Sequence, residues 1–236
     1  MIDFEEAIKR PFTSLGVLAF GGLLLSLIWV LSFAANVAQV LNILVLLIGF
    51  FWEGFLIEVA HFQLIGKKKV PSWSNFRRLF LSGVMAMIVS IVYWLPTILL
   101  MVPVVMFLIT LPSSEISVGG IISLIFFGTA AGIVGLVTWY IAPLALVRYA
   151  RSYRLKDAFA FRTVFRQAFT ITYFTAFLFV FSYGLALLVL GIISVITIIG
   201  PLIALFLLPA AHSITMYMVY ASVVKKLDFK VQRKKR

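Results

Sequence analysis

The chain has no cysteine and little charge. Its 236 residues include two His and eight Asp or Glu, and charged residues make up 12% of the total, about half of their share in ordinary soluble domains. The lack of cysteine excludes disulfide scaffolds, thiolate catalysis and every metal or iron–sulfur site with Cys ligands. The scarcity of charge excludes a water-soluble fold, because so few charged side chains cannot cover the surface of a domain this large.

Hydrophobic residues are abundant and lie in long runs. They make up 63% of the chain, and a helix needs about 20 mainly apolar residues to cross a bilayer. Such runs cover residues 14–35, 40–62, 82–110, 120–147, 171–193 and 198–224. The sequence therefore predicts an all-α polytopic membrane protein, in which residues 1–236 form one transmembrane domain with six transmembrane helices arranged as three hairpins.

Proline and glycine mark irregular points in these runs. Pro96, Pro103 and Pro143 lie in the third and fourth runs and predict kinks, tilt or a re-entrant stretch there. The fifth and sixth runs are joined with almost no polar linker, so Gly200 and Pro201 are the main indication of their boundary.

All basic residues lie at the termini or in alternate loops. The 20 Lys and Arg fall within residues 9–10, 67–78, 148–166 and 225–236. Positively charged loops stay in the cytoplasm, so we expect a multi-pass protein of the cell membrane with both termini cytoplasmic and a basic cytoplasmic tail at 225–236. The net charge is +12, and the basic residues responsible for it lie beside apolar runs. This position indicates that the partners are membrane lipids with anionic head groups and not nucleic acid.

A short basic amphipathic segment precedes each pair of predicted spans. Its apolar residues recur every fourth position, which places them on one face of a helix. The three sets are Phe4, Ile8 and Phe12; Phe76, Phe80 and Val84; and Phe161, Phe165 and Phe169. Each segment either lies in the plane of the membrane, with rings at the acyl boundary and cations among phosphates, or forms the first turns of the following span.

The basic residues near these segments are the candidate contacts for anionic lipid or for a partner protein. They are Arg77, Arg78, Arg148, Arg151, Arg162, Arg166, Lys225 and Lys226. A second candidate surface is the small-residue face of the fourth span, formed by Gly128, Gly132 and Gly135. Such a face allows close helix packing, either within one chain or between copies in a homo-oligomer.

Few ionisable residues fall inside the predicted spans, and because buried charge is costly there, those few are candidates for function. They are Glu53, Glu58, His61 and His212. Glu53 and His212 lie at comparable depth and would form a proton- or cation-responsive pair if the second and sixth spans pack together. Alternatively, all four residues serve packing or reach the interface. A zinc site is disfavoured because the HExxH spacing is missing, and no cofactor is predicted.

Three short segments resemble a known family. They are VPSWSNFRRLFLSG at Val70–Gly83, APLALVRYA at Ala142–Ala150 and LKDAFAFRTVF at Leu155–Phe165. They are similar to an archaeal family of six-span membrane proteins classed as a domain of unknown function, and the similarity is expected to cover nearly the whole chain. The resemblance implies a polytopic membrane fold of unassigned activity and supplies no catalytic residues.

The favoured hypothesis is a non-catalytic membrane component that binds anionic lipid or docks a partner subunit through basic in-plane helices. Polar residues are nearly absent from the spans, whereas the basic surface is large. A small transporter or channel with Glu53 and His212 in its path is the first alternative. An intramembrane lipid-modifying enzyme is the second, although an acidic pair at catalytic spacing, a nucleophile elbow and a phosphate-binding glycine loop are all missing.

Overall fold

The structure is built from α-helices. The computed structural model describes residues 3–36, 38–110, 118–194, 196–197 and 200–233, and within these ranges there is no strand. The helices are α1 (Phe4–Lys9), α2 (Leu15–Ala34), α3 (Leu41–Leu64), α4 (Phe76–Thr110), α5 (Val118–Ser152), α6 (Leu155–Ala158), α7 (Phe161–Ala168), α8 (Ile171–Ser194) and α9 (Gly200–Arg233). Among the described residues, six helices are long and apolar enough to span a membrane, namely α2, α3, α4, α5, α8 and α9. The predicted all-α, six-span membrane fold is confirmed.

Three of these helices extend beyond the predicted spans at one end of the molecule. α4 begins at Phe76, six residues before the predicted start, because Asn75 Oδ1 caps it by accepting a hydrogen bond from the Arg78 amide at 3.2 Å. α5 runs on to Ser152 and α9 to Arg233. Residues 225–233 thus continue α9 instead of forming a separate tail, and 234–236 lie outside the described residues. We call this end, which carries the Lys and Arg clusters, the basic end.

The prolines do not interrupt the long helices. α4 continues through Pro96 and Pro103, and α5 continues through Pro143, so the described parts of these helices contain no re-entrant stretch. The boundary between the last two spans falls between Ser194 and Gly200. The predicted start of the last span at residues 198–199 lies outside the described residues.

α3 and α9 form the centre of the bundle. α3 contacts α2, α4, α5 and α9, and α9 contacts α2, α3, α5 and α8. The fully buried side chains concentrate in the half of the molecule next to the basic end, and examples are Phe55, Leu144, Ile214 and Tyr220. This half is therefore the packed core of the protein.

Glycine allows α3 and α4 to cross with their backbones in contact. A Cβ atom on Gly54 would lie 1.7 Å from the carbonyl oxygen of Leu79, and one on Gly83 would lie 1.8 Å from that of Phe50. Neither position can hold a side chain without separating the helices. The crossing is thus reciprocal, with one glycine supplied by each helix.

The predicted small-residue face of α5 does not pack in this way. A Cβ atom on Gly128 or Gly132 would meet no atom within 4 Å, and one on Gly135 would lie 3.4 Å from Thr97 Cγ2. Within the described residues, therefore, only Gly135 of this set approaches another helix. Among the described helices, the glycines at the closest crossings are instead Gly22 of α2, which meets Phe206 of α9, together with Gly54 of α3 and Gly83 of α4.

Two of the amphipathic segments form separate helices, and one is continuous with a span. The first forms the separate helix α1, followed by a 3₁₀ turn at Arg10–Thr13, and the third forms the separate helix α7. The second is continuous with α4, which starts at Phe76. It follows the alternative interpretation, since it is the first turns of the following span.

Candidate functional site

Helix α7 is attached to the bundle by one face and exposes the other. Val164 and Ala168 are fully buried, and Gln167 is nearly so. The exposed face carries the predicted rings and cations, which are Phe161, Arg162, Phe165, Arg166 and Phe169. Aromatic rings and guanidinium groups side by side on an exposed helix face are the arrangement of helices that lie at a membrane interface.

Arg148 holds α7 in place from inside the protein. Its Nη1 donates to Gln167 Oε1 at 2.9 Å, and its Nε donates to the carbonyl oxygen of Asp157 at 3.2 Å. It also lies 3.7 Å from a carboxylate oxygen of Asp228 on α9. Because the side chain is buried and bonded to protein acceptors, Arg148 links α5, α7 and α9, and we leave it out of the candidate lipid surface.

Asp228 completes this cluster. It forms an ion pair with Arg151 and accepts a hydrogen bond from Gln167 Nε2 at 3.1 Å. Arg151, predicted as a lipid contact, therefore has a protein partner although its side chain is partly exposed. Nearby on α9, Lys225 is exposed and Lys226 is half-buried. Sequence reasoning missed Asp228, and the available signal was its position as the single acidic residue within a basic segment.

Glu58, on α3, lies at the centre of a second polar cluster. It forms an ion pair with Arg78 of α4 and accepts a hydrogen bond from the Tyr153 hydroxyl at 2.9 Å. Arg78 Nη2 in turn donates to the same hydroxyl at 2.8 Å. Burial, with the Glu58 carboxylate beside it, raises the pKa of Tyr153 well above its usual range, so the phenol stays protonated and keeps its role as a donor.

The position of Tyr153 depends on an unusual backbone conformation. Its φ of 55° lies in the left-handed region, which non-glycine residues seldom adopt. This conformation ends α5 and places the ring next to His61, with 4.8 Å between ring centroids. His61 Nδ1 lies 2.8 Å from the carbonyl oxygen of Ala150 and donates to it. Glu58 and His61 thus meet at Tyr153, which no sequence signal identified.

Glu53 and His212 have separate partners. Glu53 accepts a hydrogen bond from the Tyr217 hydroxyl at 3.2 Å, whereas His212 Nε2 lies 3.3 Å from the carbonyl oxygen of Val180 on α8. α3 and α9 do pack together, but five residues along a helix correspond to a rotation of about 140°. His212 and Tyr217 therefore lie on different faces of α9, and the Glu53–His212 pair is not formed.

The described acidic and histidine side chains do not gather into a metal site. In the part of the chain that the structure describes, no group of three or more His, Asp or Glu side chains could hold a metal ion. Glu58 and His61 share the cluster around Tyr153, while His212 lies against α8. The arrangement offers hydrogen bonding and charge pairing between helices, together with an exposed basic surface.

Comparison with known proteins shows a family but no activity. No curated protein and no solved structure significantly matches this chain. One family profile matches residues 37–196, a range that runs from α3 through α8 and is shorter than the nearly complete coverage predicted. It contains all three segments that carry the resemblance, and it includes Glu58, Arg78 and α7. Since the match covers more than half of the chain, the protein belongs to the family described as "Protein of unknown function (DUF4013)".

Proposed function

We propose that this protein is a non-catalytic membrane component that binds anionic lipid through the exposed rings and cations of its basic end. The proposal rests on the way in which α7 is attached to the protein. Its buried face is fixed by Arg148 and Gln167, and its exposed face presents Arg162 and Arg166 beside aromatic rings. A helix held in this way can insert its rings among acyl chains while its guanidinium groups contact phosphates.

The charge distribution supports the same proposal. Arg77, Arg162, Arg166 and Lys225 are all exposed at the basic end. Each such cation contributes about 1 kcal/mol of attraction to an anionic leaflet, and salt screens this attraction over about 8–10 Å. Binding that depends on these residues should therefore weaken steeply as the salt concentration rises.

We further propose that the basic end faces the cytoplasm, so that both termini lie there. Six spans return the chain to the side where it began, and the N-terminal segment contacts α9 through a hydrogen bond from Thr215 Oγ1 to the carbonyl oxygen of Ala7, at 3.2 Å. The positive-inside rule assigns this side to the cytoplasm. Reporter fusions at Met1 and Arg236 should both report from the cytoplasm, and opposite locations would contradict the topology.

The lipid-binding proposal can be tested on the full-length protein in nanodiscs of mixed phosphatidylglycerol and phosphatidylcholine. The lipid retained after extraction should be enriched in phosphatidylglycerol, and the enrichment should fall with added salt. The double variant Arg162→Gln, Arg166→Gln should lower it further, because both cations are exposed. The matched control is Lys9→Gln, since Lys9 is exposed but paired with Glu5. Equal retention of the two lipids by the wild-type protein would refute the proposal.

No specific observation favours the two alternative functions. The transport hypothesis rests on Glu53 and His212 acting together, and these residues have different partners. The enzyme hypothesis needs acid–base groups that face a substrate site. Glu58 is instead engaged by Arg78 and Tyr153.

A further inference from the structure

An open cleft of about 770 Å³ lies at the basic end, next to the Glu58 cluster. Its walls come from the first turns of α4, the last turns of α5, and the segment after α5 that leads into α6. The polar part of the lining includes Asn75, Arg77, Arg78 and Tyr153, and the apolar part includes Leu81 and Met85. Neither the family description nor the proposed role of α7 assigns this cleft a function.

Arg78 is a rigid cation at the edge of the cleft. Glu58 and the Tyr153 hydroxyl each accept one of its N–H groups, and its guanidinium carbon lies 4.8 Å from the centroid of the Tyr153 ring. A guanidinium has five N–H donors, so most of the donors of Arg78 are left for another acceptor. Because the Arg78 side chain is 47% exposed, a ligand in the cleft can reach them.

Arg77 adds a second positive charge to the cleft. Its side chain is exposed, and its guanidinium makes no ion pair with the carboxylates of the described part of the chain. In the part of the chain that the structure describes, Glu58 is the one carboxylate that pairs with Arg77 or Arg78. The cleft therefore carries an excess of positive charge, and a phosphate can accept hydrogen bonds from both guanidinium groups.

The lining changes from polar to apolar along α4. Ten residues separate Asn75 from Met85, which corresponds to about 15 Å of helix. Arg77 and Arg78 lie near the start of this length, whereas Leu81 and Met85 lie farther into the membrane-spanning part of α4. A free phosphate ion would occupy only the polar part, but a molecule with an anionic head and an apolar tail matches both parts.

We propose that this cleft binds one anionic phospholipid, with its phosphate at Arg77 and Arg78 and an acyl chain along Leu81 and Met85. This inference rests on the proposed lipid-binding function and adds a defined site with one bound lipid. Arg78 orients the phosphate, because Glu58 and Tyr153 fix its side chain. Arg77 supplies the charge that the lipid neutralises.

The test is a titration of the detergent-solubilised, full-length protein with phosphatidylglycerol, with bound lipids counted by native mass spectrometry. The wild-type protein should bind one phosphatidylglycerol more tightly than further lipids and more tightly than phosphatidylcholine. Arg77→Gln should weaken this first binding step about tenfold, the effect of losing one charge-assisted hydrogen bond. Lys69→Gln is the matched control, since it removes one exposed cation from the same end that belongs neither to the cleft nor to α7.

A second variant tests the apolar part of the cleft. Met85→Trp adds bulk where the acyl chain is proposed to lie and leaves the charge unchanged, so it should weaken the first binding step as well. Circular dichroism and gel filtration establish that each variant remains folded. Inorganic phosphate, added as a competitor, should displace the lipid poorly because it cannot use the apolar part.

The outcomes separate this proposal from the proposed function. If Arg77→Gln and Lys69→Gln weaken binding equally, lipid binding is diffuse, and the specific cleft is refuted while the proposed function stands. If phosphatidylglycerol and phosphatidylcholine bind alike and neither variant matters, both proposals fail. If inorganic phosphate competes fully and Met85→Trp has no effect, the cleft binds a phosphate ion, and its assignment to a lipid is overturned.

Discussion

The two halves of the molecule are held together in different ways. Next to the basic end, α3 and α4 cross with backbone atoms in contact at Gly54 and Gly83. In the other half, α5 presents Gly128 and Gly132 to open space, and nearby apolar side chains such as Phe126 are exposed. Lipid tails are as apolar as these side chains, so apolar composition alone does not bring membrane helices together. Close backbone contact and interhelical hydrogen bonds distinguish the packed half.

Tyrosine hydroxyls provide many of those hydrogen bonds. Tyr93 donates to the carbonyl oxygen of Ala158 at 2.7 Å, and Tyr140 donates to that of Ala168, also at 2.7 Å. Tyr173 donates to the carbonyl oxygen of Tyr140 at 2.6 Å. The first two bonds attach the short helices α6 and α7 to the long spans α4 and α5, and the third joins α8 to α5.

The largest expected effect comes from breaking the α3–α4 crossing. Gly83→Ala should lower the free energy of unfolding by about 3 kcal/mol, because its Cβ would overlap the carbonyl oxygen of Phe50 and separate the helices. The measurement is the shift in the midpoint of unfolding when sodium dodecyl sulfate is added to protein in mixed micelles. An unchanged midpoint would show that the two backbones do not touch.

A smaller loss of stability is expected from the buried cluster of the basic end. Arg148→Met should lower the free energy of unfolding by about 2 kcal/mol, because the Gln167 side-chain oxygen and the Asp157 carbonyl lose their hydrogen-bond donor. Asp228 would still form its ion pair with Arg151. The exposed Arg162 is the matched position, where Arg162→Gln should change stability by less than about 0.5 kcal/mol. Thermal melting of both variants in the same detergent compares them. Equal shifts in melting temperature for the two variants would contradict the conclusion that Arg148 is buried and structural whereas Arg162 is a surface residue.

Glu53→Gln should be nearly silent, with a change below about 0.5 kcal/mol. The amide oxygen can still accept the hydrogen bond from Tyr217, so the contact between α3 and α9 persists. The variant also discriminates between functions when it is reconstituted in liposomes. Loss of a pH-dependent flux at unchanged expression and melting temperature would revive the transport hypothesis and would contradict the structural role assigned to Glu53.

The smallest change in stability is expected in the half of the molecule away from the basic end. Gly128→Ala and Gly132→Ala should leave stability unchanged or raise it slightly, because the added methyl groups meet no atom within 4 Å and alanine favours helix over glycine. The same unfolding assay used for Gly83→Ala measures this. Marked destabilisation of either variant would indicate that this face packs against another helix, such as one from a second copy of the chain.

Sequence reasoning was strongest where a feature depends on one helix alone. Span positions follow from the length of apolar runs, and the amphipathic face of α7 follows from the four-residue spacing of Phe161, Phe165 and Phe169. Both patterns are local, because a helix satisfies its own backbone hydrogen bonds and its side chains repeat with a fixed period. The distinction between the separate helix α7 and the continuous start of α4 was left open, since the same spacing fits both.

Which side chains contact each other across neighbouring helices could be determined only from the tertiary structure. Arg148 and Arg162 are equivalent in the charge pattern, yet one is buried against Gln167 and the other is exposed. The depth of Glu53 and His212 suggested a pair, but the rotation of α9 turns His212 toward α8. The rotation of a helix about its own axis depends on all of the helices that pack against it, so it cannot be predicted from a local sequence pattern.

The amino-acid sequence by itself determined that this is a six-span helical membrane protein with its basic residues grouped at the helix ends, because the apolar length of a span and the placement of charge are properties of single segments. The tertiary structure alone decided which cations are buried, which glycines allow helices to touch, and that Tyr153 joins Glu58 to Arg78. These features depend on the distances between segments remote in the chain, which helix packing fixes.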